Sequence, residues 1–71
     1  MLIVSTDKTM VSEGGTYLIV GKEQEWVIAQ MDSVQPLSLG TYDSEVKAKA
    51  VMMAMINARA NGEEVFYMPR N

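Results

Sequence analysis

The stretch Thr16-Tyr17-Leu18-Ile19-Val20-Gly21-Lys22-Glu23-Gln24-Glu25-Trp26-Val27-Ile28-Ala29-Gln30-Met31 decides the fold. Two runs rich in β-branched and aromatic residues, 16–20 and 26–31, flank the polar segment Gly21 to Glu25, and this arrangement predicts an antiparallel hairpin. Both runs are apolar at nearly every position. A strand wetted on one face alternates, so this hairpin is expected to be covered on both faces, or on one face by its own chain and on the other by a partner.

Upstream, Leu2-Ile3-Val4-Ser5 is a short strand candidate, Thr6-Asp7-Lys8 suits a turn, and Met10-Val11 begins a second short strand. Glu13-Gly14-Gly15 breaks the chain ahead of the hairpin. Neither the Gly-x-Gly-x-x-Gly spacing nor a following Gly-Lys-Ser/Thr is present, so the glycine pair is a turn rather than a phosphate cradle. Downstream, Asp32-Ser33-Val34-Gln35-Pro36 supplies turn residues, and Leu37-Ser38-Leu39-Gly40-Thr41-Tyr42 resumes the alternation, with Leu37 and Leu39 toward the core. Ser44 offers a hydroxyl acceptor to the first N–H groups of a helix from Glu45 to about Asn61, and Gly62 can take the left-handed cap that ends it. Val65-Phe66-Tyr67-Met68 closes the chain as a strand, and Pro69, without an N–H, ends it. The predicted fold is α+β: one domain over 1–71, a small antiparallel β-sheet with one α-helix packed on it and a C-terminal return strand.

Composition narrows the chemistry. With no cysteine and no histidine among 71 residues, the thiolate nucleophile, the imidazole base and the commonest transition-metal ligands are all missing. The carboxylates that remain, Glu23 and Glu25 at the hairpin tip and Glu63 and Glu64 after the helix, sit where solvent keeps them ordinary. The expectation is therefore a protein with no catalytic residues, no metal and no cofactor. A net charge of −3 and six scattered basic residues argue against direct duplex nucleic-acid binding. No apolar run approaches the about 20 residues of a membrane span, and no signal peptide is legible, which places the chain in the cytoplasm.

The aromatics Tyr17 and Trp26 and the cations Lys47 and Arg59 are the candidate ligand or partner contacts, the rings to stack and the cations to meet an anion. Aromatics in so small a domain also serve its core, as expected for Tyr42, Phe66 and Trp26. Among seven methionines, Met31, Met52, Met55 and Met68 are expected as core filler. At 100° per residue, Ala48, Val51, Met52, Met55 and Ile56 form the stripe for the sheet. A second series, Val46, Ala50, Met53, Asn57 and Ala60, falls on the far side with heptad-like spacing. Burying Val46 and Met53 is worth about 1.5 to 3 kcal/mol each, and these five residues are the expected interface of a homo-oligomer joined through its helix.

Leu2-Ile3-Val4-Ser5-Thr6-Asp7-Lys8, Leu39-Gly40-Thr41-Tyr42-Asp43-Ser44-Glu45 leading into Ala48, and Val65-Phe66-Tyr67-Met68-Pro69 resemble small proteins of phages, prophages and mobile elements of Gram-positive bacteria. The resemblance implies this fold and a genetic setting, and assigns no site residue. Phage proteins of this size often act in the host cytoplasm by binding. The expected function is a non-catalytic binding protein that blocks or modulates a host protein, counter-defence included. The alternative is one that sequesters a small nucleotide immune signal in pockets between subunits.

Overall fold

The computed structural model describes residues 1–13, 16–31 and 36–70. Its elements follow in the order β1 (Leu2–Val4), β2 (Val11–Glu13), β3 (Thr16–Lys22), β4 (Glu25–Met31), β5 (Pro36–Tyr42), α1 (Glu45–Ala60) and β6 (Val65–Tyr67). The α+β architecture is the expected one. The strands divide into two three-stranded sheets, ordered β2-β1-β6 and β3-β4-β5. All pairings are antiparallel except that of β6 with β1, where Leu2 faces Val65 and Val4 faces Tyr67 in parallel. The turns read at Gly14-Gly15 and at Asp32 to Gln35 lie outside the described residues.

The central hairpin is tighter than the sequence implies. Lys22 pairs with Glu25, so only Glu23 and Gln24 make the turn, and Glu23 takes the positive φ of 55° that such a reversal demands. Gly21 belongs to the strand instead. A Cβ on it would lie 2.5 Å from the Trp26 ring, so the glycine serves to let the indole of its cross-strand partner lie against the backbone.

Between β4 and β5 the register slips, with Ile28 opposite Gly40 and Ala29 opposite Ser38. Leu39 is the extra residue of this bulge, and its side chain is buried in the core. Its carbonyl accepts from the backbone N–H of Thr6 at 2.9 Å and from the Thr6 hydroxyl at 3.2 Å. Thr6 lies two residues beyond the end of β1, so these bonds fasten the small sheet to the edge of the large one. Gly40 permits the approach, since a Cβ there would come within 2.8 Å of both the Thr6 hydroxyl and the Tyr42 phenol oxygen. Tyr42, 2% exposed, donates its hydroxyl to the Pro69 carbonyl at 2.8 Å and so holds the segment beyond β6.

The helix is bounded as its sequence dictates. The Ser44 hydroxyl accepts from the Lys47 N–H at 3.1 Å. At the far end Gly62 adopts a φ of 75°, Glu63 donates to the Ala58 carbonyl and Gly62 to that of Arg59, completing a Schellman cap. Ala48, Val51 and Met55 are buried against Ile3, Ile28, Leu39, Tyr42 and Met68, with Met52 and Phe66 packed at the margin. Two core assignments need correction. Ile56 is 54% exposed, because three strands are too narrow to cover the whole stripe and it falls at the rim. Met31 is 44% exposed, because it lies beside Pro36 and Thr16 at the end of the sheet, on the side away from Gln30. Leu39 reaches the core as expected, whereas Leu37 is half-buried.

The β1–β2 turn is held by Asp7, whose carboxylate accepts from the hydroxyls of Ser5 at 2.8 Å and Thr9 at 2.7 Å and from the Thr9 N–H at 3.1 Å. The Thr9 and Ser5 hydrogen bonds hold its pKa down to about 2. A depressed carboxylate stabilises the fold above the unfolded value near 4 and loses that contribution as pH falls toward 2. Asp7→Asn should therefore lower Tm at pH 7, and the gap from wild type should close between pH 4 and pH 2 in a thermal-melt series. Tyr42→Phe should cost about 1 kcal/mol by denaturant titration, the worth of one buried hydrogen bond. Gly40→Ala should cost more than that, since both Thr6 and the Tyr42 ring must give way.

Candidate functional site

Two of the depressions among the described residues differ in their chemistry. One is an open, shallow area of about 460 Å³ over the joint between the sheets, edged by Thr6, Asp7, Ser38, Gly40, Thr41 and Arg70. Two of its polar groups are committed already, Thr6 to Leu39 and Asp7 to Ser5 and Thr9. The other is a more enclosed cleft of about 340 Å³ between the C-terminal half of α1 and strands β2 and β3, within the usual size of small-molecule sites.

Three elements build this cleft. From α1 come Met52, Met55, Ile56 and Arg59, which share one side because they are spaced at three and four residues. Strand β2 supplies Glu13, β3 supplies Tyr17, and Met1 closes the wall. Burial pushes the Tyr17 phenol up from its ordinary value, while the Ser12 hydroxyl and the Arg59 guanidinium act in the opposite direction. Arg59 is thus near enough to the phenol to be felt by it. Glu13 and Arg59 are both exposed at the cleft and form no ion pair with each other. The ion pairs among the described residues are Lys47 with Asp43 at 3.2 Å and Lys49 with Glu45 at 3.1 Å, both on the helix surface.

Of the four candidate contacts, Tyr17 and Arg59 come together here. Trp26 does not join them, being half-buried over Gly21 at the other end of the sheet, and Lys47 is held at the helix start by Asp43. Glu13, Met52, Met55 and Ile56 were not expected at a site. The methionines and Ile56 read as core by their helical spacing, and Glu13 read as part of a turn. Only the placement of β2 beside the helix end reveals them. The helix series Val46, Ala50, Met53, Asn57 and Ala60 is exposed throughout, with Val46 at 78% and Met53 at 54%.

Comparison with protein-family models, with curated proteins and with solved structures gave no match. No helix is long and apolar enough, among the described residues, to cross a membrane. The cleft offers an anion-binding guanidinium, a carboxylate, a phenol and an apolar floor. Glu13→Gln should leave the Tyr17 phenol nearly as raised as before, because Glu13 is not among the groups that shift it. Arg59→Gln should raise it further, as seen by ultraviolet titration of the tyrosines, since a nearby cation favours the phenolate.

Proposed function

We propose that this chain is a non-catalytic binding protein that works as a homo-oligomer and blocks or modulates a host protein, in the phage and mobile-element setting that its sequence resembles. The observation that carries this reading is the apolar surface that the fold leaves open. Strands β3 and β4 are apolar on both faces, and α1 covers one of them. On the other, Leu18 pairs with Ala29 and Val20 with Val27, followed by Met31. On this face Val20 is 39% and Met31 44% exposed, Leu18 and Val27 are half-buried and Ala29 is buried.

Two surfaces share the work. The outward series Val46, Ala50, Met53, Asn57 and Ala60 joins the copies, Ala50 and Ala60 allowing close approach and Asn57 fixing register. The open sheet face meets the host protein in the host cytoplasm. The absence of histidine and cysteine supports a role without chemistry.

Light scattering at micromolar concentration should show an oligomer for wild type and a lower mass for Met53→Glu, with unchanged helical circular dichroism. Val20→Lys should keep the wild-type mass and lose the host protein recovered by crosslinking in cells. A wild type that is monomeric, or a Met53→Glu protein of wild-type mass, contradicts the helix seam. Equal crosslinking by Val20→Lys contradicts the role of the sheet face.

A further inference from the structure

We propose that the cleft between α1 and strands β2 and β3 binds a zwitterion with an apolar body, that is, an apolar α-amino acid or a short apolar peptide. The inference goes beyond the binding of a host protein and stands on different residues. Glu13 and Arg59 line the same cleft, carry opposite charges and do not pair with each other. A ligand that brings an ammonium to Glu13 and a carboxylate to Arg59 satisfies both with charge-assisted hydrogen bonds. The same cleft is lined by Met52, Met55 and Ile56, which present thioether and aliphatic surface, and by Tyr17, which adds an aromatic ring. Methionine adapts its shape to an aliphatic or aromatic occupant and makes favourable sulfur–aromatic contacts.

The same charges exclude the simpler ligands. A phosphate or other pure anion gains from Arg59 but is opposed by Glu13, and a pure cation meets the reverse. An uncharged apolar molecule would leave both charges unanswered while displacing their water. The volume of about 340 Å³ suits one amino acid or a dipeptide rather than a large cofactor.

The test is a titration of the full chain, followed by nuclear magnetic resonance, with phenylalanine, phenylalanyl-phenylalanine, phenethylamine, hydrocinnamate and AMP as probes. Saturable shifts at Glu13, Tyr17 and Arg59 are expected with phenylalanine or the dipeptide, and which of the two binds tighter tells the free amino acid from the peptide. Phenethylamine lacks the carboxylate and hydrocinnamate the ammonium, so each should bind at least about 10-fold more weakly, the worth of one hydrogen bond to a charged group. Glu13→Gln and Arg59→Gln, both surface changes whose folding circular dichroism verifies, should each weaken phenylalanine or dipeptide binding by a similar factor. Phenethylamine and hydrocinnamate binding as tightly as phenylalanine would show an apolar slot and overturn the proposal. So would preferential binding of AMP, unchanged affinity in both variants, or no saturable shift with any probe at millimolar concentration.

Discussion

Neither three-stranded sheet could hold a core alone, and both depend on the carbonyl of Leu39. The bulge that displaces this residue does two things at once. It sends the Leu39 side chain into the interior, and it brings a carbonyl at the edge of β5 to the backbone and hydroxyl of Thr6. β5 is an edge strand with outward-facing carbonyls, and the bulge sets the register in which Leu39 meets Thr6. The absence of a side chain at Gly40 and the buried phenol of Tyr42 complete the joint, the latter reaching Pro69 across the molecule. Ile3 from one sheet and Ile28 from the other can then share a core with α1.

That economy has a consequence for function. One helix of 16 residues can cover one face of a narrow sheet and no more. The outer faces of β3 and β4, the outward side of α1 and the exposed side of the small sheet, with Val11 and Tyr67, retain apolar surface. For a chain this short the hydrophobic stabilisation is modest, and association is a common way to supplement it. The cleft is a product of the same geometry: the C-terminal half of α1 stands beside β2 and β3, so Ile56 at the rim of its buried stripe lines a cavity instead of filling the core.

The local signals in the sequence proved direct. Ser44 and Gly62 bound the helix because capping depends on one or two residues at fixed offsets, and the β-branched runs of the hairpin pair as their composition implies. What the sequence conceals is non-local. Leu37 and Leu39 look equivalent by alternation, yet the bulge buries one fully and leaves the other half-exposed. Gly21 reads as a turn residue until Trp26 is placed across the ladder from it. Splitting into two sheets, with β6 parallel to β1, follows from the Thr6 anchor and the return path through α1, and neither leaves a pattern in the chain. The candidate site was half legible: Tyr17 and Arg59 were recognisable by type, whereas Trp26 and Lys47 proved remote and Glu13 entered only through tertiary contact.

If the Leu39–Thr6 joint makes the two sheets one cooperative unit, native-state hydrogen exchange reports it most directly. The amides of Ser5, Thr6 and Met68, which are bonded to the carbonyls of Met10, Leu39 and Val4, should share one opening free energy with the amides of β4 in the centre of the large sheet. A small sheet whose amides exchange orders of magnitude faster than those of β4 would contradict this account, because it would show that β2-β1-β6 opens without the rest.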